Sequence, residues 1–195
     1  MVIRRDRTWS GHDIASSTAY PPERFLEPHW YACRTRARAE KQVDRLLVRS
    51  GFETYLPLVE QVRQWADRKK RVAFPLFPGY TFARFKLTDT LAVVQTAGLV
   101  SVLSGSGKGY PTPVRDEELE AVKILVEGIQ ATGVDVETND GLEEGIPVLV
   151  ANGPFRGMQG ILIEVNGRTR VSVRFSGIPL GASVEMDRGS LRPLG

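Results

Sequence analysis

The chain has 195 residues, 42% of them hydrophobic and 25% charged, with a formal net charge of +3. This is ordinary globular composition, long enough for one full domain or two small ones, and it excludes a wholly disordered or fibrous chain. The longest weakly polar run, Leu91 to Leu103, has 13 residues and is too short to span a bilayer. One cysteine, Cys33, excludes an internal disulfide framework and fits a reducing, cytoplasmic setting. The opening MVIRRDRTWSGHD lacks the apolar stretch of an export signal.

Residues 1–27 lack periodicity, contain Ser16-Ser17-Thr18 and Pro21-Pro22, and read as a disordered tail. His29 to Cys33 predicts a strand. A helix is predicted from about Ala37 to Ser50, stopped by Gly51, with Ala39, Val43, Leu46 and Leu47 on its apolar face. Arg38, Lys41, Arg45 and Arg49 form a second, basic stripe. Phe52 to Leu58 predicts a strand that can continue through Val59 to Trp65, and Asp67 to Arg71 a basic hairpin tip. Pro75 and Pro78 precede a strand in which Tyr80, Phe82 and Arg84 point one way and Thr81, Ala83 and Phe85 the other. Such a strand carries large aromatics on both faces, so each face needs an apolar partner. Leu91 to Thr96 reads as a short helix and Val100 to Leu103 as a strand. A third helix, with Asp116 as its cap, buries Leu119, Val122, Leu125, Val126 and Ile129.

Residues 131–144, acidic with little to bury, read as a linker. Beyond them, Ile146–Ala151, Ile161–Val165, Arg170–Phe175, Ser183–Met186 and Leu191 predict five short strands divided by glycine-rich turns. The expected fold is α+β. An antiparallel N-terminal sheet flanked by helices spans 28–130, and a small SH3-like β-barrel spans 145–195. Nine glycines and four prolines in 145–195 interrupt nearly every helical stretch there, so this part is expected to stay β when free.

Charge is segregated. Residues 28–112 carry 14 basic and 6 acidic residues, and 113–144 carry 2 basic and 10 acidic. A localised basic field suits a polyanion such as nucleic acid. Catalytic signals are missing. There are two histidines and one cysteine, too few for a common zinc site, and no nucleophile elbow or His-Glu-x-x-His helix. Gly105-Ser-Gly-Lys-Gly109 lacks the spacing of a phosphate loop and reads as a turn. No enzymatic activity, cofactor or metal is expected.

The run VLVANGPFRGMQGILIEVNGRTRVSVRF resembles a KOW motif, with Gly153, Phe155, Gly157 and Gly160 in its places. Upstream, HWYACRTRARAEKQV, PLFPGYTFARF and TAGLVSVLSG resemble the N-terminal (NGN) domain of NusG-type transcription elongation factors. The order and spacing of all four segments identify the chain as a NusG-family member over 28–195. The compact hairpin Gln64–Val72 and Pro75-Leu-Phe-Pro78 resemble the specialised, RfaH-like branch.

The resemblance implies a non-catalytic, cytoplasmic, monomeric antitermination factor with no membrane attachment. It would bind RNA polymerase at the β′ clamp helices through Tyr31, Leu76, Phe77, Pro78, Tyr80 and Phe82. The plain alternative for each of these residues is core packing. Thr88, Asp89 and Thr90 match the contact to the β gate loop. Arg34, Arg36, Arg38 and Lys41 match the approach to upstream or non-template DNA. Phe155, Met158 and Phe175 match the KOW surface that recruits Rho or a small-subunit ribosomal protein. The alternative function is a ribosome-associated KOW-type RNA-binding protein.

Overall fold

The computed structural model describes residues 26–64, 69–104, 111–141, 144–176 and 178–194. Most of the expected tail, the Asp67-Arg68 part of the hairpin tip and the Gly105–Gly109 turn lie outside the described residues. The strands are β1 (His29–Thr35), β2 (Glu53–Tyr55), β3 (Leu58–Gln64), β4 (Lys69–Pro75), β5 (Tyr80–Phe85), β6 (Leu99–Val102), β7 (Pro113–Val114), β8 (Val136–Asn139), β9 (Ile146–Val150), β10 (Gln159–Val165), β11 (Arg168–Arg174), β12 (Gly181–Glu185) and β13 (Leu191–Pro193). The α-helices are α1 (Glu40–Arg49), α2 (Thr90–Val94) and α3 (Asp116–Thr132). They form two compact units, Met1–Leu56 with Pro78–Val114 and Pro57–Phe77 with Arg115–Gly195.

In the first unit the sheet runs β2-β5-β1-β6, with β7 on β1. Antiparallel pairing sets Ala32 opposite Phe82 and Arg34 opposite Tyr80. Period-2 alternation therefore puts Tyr31, Cys33, Ala83 and Phe85 on one face and Trp30, Ala32, Arg34, Tyr80 and Phe82 on the other. The first face carries the core. Tyr31, Cys33, Ala83 and Phe85 are buried with Val43 and Leu47 of α1, Val93 of α2, and Leu99 and Val102 of β6. α1 starts three residues later than expected. Its N-cap, Ala39, supplies no side-chain cap, and Arg38 just before it has φ 63. The Cys33 thiol is fully enclosed, and burial pushes its pKa up to about 12. It is therefore expected to resist an aqueous thiol reagent at pH 8 in the native state and to react on denaturation, as following the release of free thiol over time would show.

The predicted strand from Phe52 to Trp65 is broken. Pro57 cannot donate to a ladder; its carbonyl instead accepts from Leu76 N (2.8 Å), closing the base of the β3–β4 hairpin in the second unit. α3 buries the five apolar residues expected of it. Its cap differs: Arg115 holds the N-cap position and Asp116 is the first helical residue, while the Glu118 carboxylate accepts from Arg115 N (3.1 Å). The arrangement satisfies an N–H at the helix start from inside the first turn.

The C-terminal part is all β, but it is not the closed barrel expected. Its six strands follow the open path β13-β9-β10-β11-β12-β8. Closure would need pairing between the two ends of this path. β8, lying within the presumed linker, occupies the outer edge of β12, and β13 is a three-residue strand ending on Pro193, a residue without a ladder N–H.

Candidate interaction surfaces

The second face of the first unit's sheet is the aromatic one. Trp30, Ala32 and Phe82 are buried and Tyr80 is half-buried. The Phe82 ring lies 6.5 Å from that of Tyr55 on β2. Tyr31 is not part of this face. Its ring is fully buried on the helix-covered side, 4.6 Å from Phe85. Trp30 and Tyr55 are the face-mates of Phe82, and the β1 alternation held that information for Trp30.

β5 is set in place by its entry turn. Gly79 has φ 83, a conformation that favours glycine. Its carbonyl accepts from Thr35 N (2.7 Å), and its N–H donates to Glu40 Oε1 (2.7 Å). Glu40 is a buried carboxylate in the first turn of α1. It ties the helix to the turn that presents exposed Pro78 and half-buried Tyr80. Sequence reasoning missed this role, because nothing local to Glu40 points to residue 79.

Arg34, Arg36, Arg38 and Lys41 are all exposed. Among the described residues, no ion pair is made by Arg34, Arg36 or Arg38. Arg34 projects from the aromatic face, opposite Tyr80. Arg36 and Arg38 occupy the β1–α1 connection and Lys41 the first turn of α1, beside Arg45, whose Nε donates to the Lys41 carbonyl (3.1 Å). Thr88 and Asp89 lie on a 3-10 turn, exposed and half-buried respectively. Thr90 is buried, with its hydroxyl donating to the Leu87 carbonyl (2.6 Å).

In the second unit, Leu76 and Phe77 are buried, as are Phe155, Met158 and Phe175. The Phe77 ring meets Phe175 edge-on at 5.8 Å. Phe155 lies on α3 at Gly128, where any Cβ would overlap its ring. The structure thus brings together Phe77 and Phe175, which the sequence suggested for different partners. A polar clasp lies beside them. Glu118 on α3 accepts from Ser176 N (2.9 Å) and from Arg115 Nε and a terminal guanidinium nitrogen (3.0 and 2.7 Å). Burial alone would raise the Glu118 pKa, but the hydrogen bonds from Ser176 and Arg115 outweigh it and hold the carboxyl below its ordinary value.

A depressed folded pKa contributes stability that is present above the unfolded value and lost as pH falls through the folded one. The Ser176 amide resonance is therefore expected to titrate with a midpoint below that of an exposed glutamate, and Glu118→Gln should abolish this step. A midpoint at or above the ordinary glutamate value would contradict the clasp.

No helix among the described residues is long and apolar enough to cross a membrane. Among the same residues, no group of three or more His, Cys, Asp or Glu side chains could hold a metal ion.

Residues 28–123 match the family of "Transcription termination factor nusG". The transcription termination/antitermination protein NusG of Neisseria meningitidis is 30% identical over 166 residues, covering 78% of this chain and 91% of its own. That of Buchnera aphidicola is 26% identical over 137 residues, covering 69% and 74%. A solved structure of Thermotoga maritima NusG aligns with 87% of this chain and 99% of its own at 23% identity and a TM-score of 0.46. With a 30% identical relative covered over nine-tenths of its length, the chain belongs to the NusG family of transcription factors.

Proposed function

We propose that this chain is a cytoplasmic elongation and antitermination factor that binds RNA polymerase at the β′ clamp helices and reaches the β gate loop, thereby disfavouring pausing. The observation that carries the reading is the aromatic sheet face with Tyr80 half-buried and Arg34 exposed beside it. An aromatic ring next to an exposed guanidinium suits a helical protein partner close to nucleic acid. Pro78, exposed, and Tyr80, half-buried, supply the first unit's accessible contact, while Phe82 is buried on the same sheet face; Leu76 and Phe77 are buried in the second unit. Thr88 and Asp89 are the surface groups available to the gate loop. Bridging two parts of the polymerase shifts its population toward the paused state's alternative, by differential binding.

The C-terminal sheet recruits a further partner, Rho or a small-subunit ribosomal protein, through Phe155, Met158 and Phe175. Phe155 is buried against Gly128 of α3 and Phe175 against Phe77, so recruitment and the use of Phe77 both require these contacts to open. The test is capture of purified core polymerase with nuclease present, followed by crosslink mapping. Nuclease-resistant capture with crosslinks from residues 78–82 to the β′ clamp helices supports the reading. Tight RNA binding without polymerase binding would instead favour the ribosome-associated alternative.

Arg34, Arg36, Arg38 and Lys41 approach upstream or non-template DNA. Reversing the three arginines to glutamate is expected to weaken the effect on pausing and to flatten its salt dependence, because fewer counterions are released. Pause lifetimes in a reconstituted elongation complex across a salt series would check this; an unchanged slope would contradict it.

A further inference from the structure

We propose that the outer edge of β12 is a strand-addition site for a partner protein, filled in the free chain by its own β8. The occupant is an extended segment that carries a carboxylate at the register of Glu137. This surface differs from the one formed by Phe155, Met158 and Phe175, and the inference does not depend on polymerase binding.

β8 lies within residues 131–144, whose composition is that of a linker: acidic and poor in apolar side chains. It nevertheless pairs antiparallel with β12, Val136 opposite Val184, Glu137 opposite Ser183, Thr138 opposite Ala182 and Asn139 opposite Gly181. Two of its four residues are exposed and two are half-buried, so little apolar burial holds it. What holds it is backbone pairing, a long hydrogen bond from Asn139 Nδ2 to the Ser172 hydroxyl (3.4 Å), and one polar network. Arg170 of β11 is a buried side chain whose Nε and a terminal nitrogen donate to the Ser183 hydroxyl (3.1 Å) and carbonyl (2.8 Å). Its remaining terminal nitrogen meets the Glu137 carboxylate at 3.2 Å.

A strand with so small an apolar contribution can leave at modest cost, but its departure exposes two things. One is a row of unpaired β12 backbone groups, a ready template for another strand. The other is a buried guanidinium that has lost its carboxylate. The replacement must therefore bring backbone and an anion together, at one register. A second copy of this chain offers only the same β8 segment, which the three-residue connection 133–135 already supplies in cis at high effective concentration, so the occupant is a partner strand that pairs with this edge and Arg170 better than β8 does.

The test uses the full chain and, as probe, a fluorescent peptide of residues 134–141. In the intact chain, the β12 amides that face β8 should exchange hydrogen faster than those between β10 and β11. The Glu137→Pro/Thr138→Pro double variant removes β8 as a competitor and should bind the peptide about tenfold or more tighter than the unaltered chain does. A peptide with lysine in place of its glutamate should lose that binding. The proposal is overturned if the β12-edge amides exchange only with the whole sheet. It is also overturned if the variant, with its β10–β11 protection intact, fails to bind the peptide, if both peptides bind equally, or if the unaltered chain dimerises by exchange of β8 instead.

Discussion

Replacing Gly128 by leucine is expected to detach the C-terminal sheet from α3 while both stay folded. A glycine inside a 17-residue helix is disfavoured by roughly 1 kcal/mol relative to alanine, so alanine or leucine would stabilise this helix in isolation. In the folded chain, however, any Cβ at position 128 overlaps the Phe155 ring, which lies on the helix backbone. The ring has to move, and losing the burial of one phenylalanine costs about 1.5–3 kcal/mol. The local gain and the contact loss thus oppose each other, and the larger contact term decides the sign. Gly128→Ala should act in the same direction as leucine but more weakly, despite alanine's higher helix propensity. Amide chemical shifts of α3 and of residues 153–158 would report detachment, and those of β10 and β11 would report whether the sheet survives. Unshifted resonances at 153–158 in the leucine variant would contradict the expectation. Since Phe175 also covers Phe77 in this unit, the same variant should bind polymerase more tightly if this contact limits access.

Much of the architecture was legible because it is set by short-range patterns. The alternation in Tyr80–Phe85 appears in the register of β5 on β1, and the α3 apolar stripe appears as its buried face. Glycine and proline density kept 145–195 out of helix, and the described residues there are strands, turns and one 3-10 turn. What was not legible depends on contacts distant in sequence. β8 has no apolar alternation; it becomes a strand because β12 offers an edge and Arg170 needs an anion. That addition is also why the six-stranded path stays open. Glu40 and Gly79 are 39 residues apart, and no local spacing predicts their bond. The burial of Phe155 on Gly128 required knowing that a loop glycine-proline-phenylalanine turn meets a helix glycine. Tyr31 is a different case: the period of β1 puts it on the face opposite Phe82, and a resemblance at the level of motifs does not distinguish adjacent residues of one strand.

Phe82 and Tyr80, on one face of the same strand, are expected to respond differently to truncation. Phe82 is wholly buried between neighbours on β1 and β2, whereas Tyr80 is half-buried at the strand's start, opposite exposed Arg34. Truncating a buried phenylalanine removes its transfer energy and leaves a cavity, so Phe82→Ala is expected to destabilise the first unit by about 3–5 kcal/mol. That is a large fraction of the stability of a typical domain. Its loss of polymerase binding would follow from loss of the folded state and would recover on cooling or with a stabilising osmolyte. Tyr80→Ala removes a ring that retains solvent contact, so its melting temperature should shift far less. If Tyr80 is the anchor in the clamp-helix contact, its truncation should weaken polymerase binding about tenfold or more at full occupancy of the native state. Thermal melts and equilibrium binding on the same preparations separate the two effects. Equal destabilisation by both substitutions would show Tyr80 to be a core residue. Unimpaired binding by folded Tyr80→Ala would remove this face from the polymerase contact. A Tyr80→Phe variant sharpens the reading: it keeps the ring and loses only the hydroxyl, so it should retain affinity where apolar burial dominates and lose it where the hydroxyl supplies the contact.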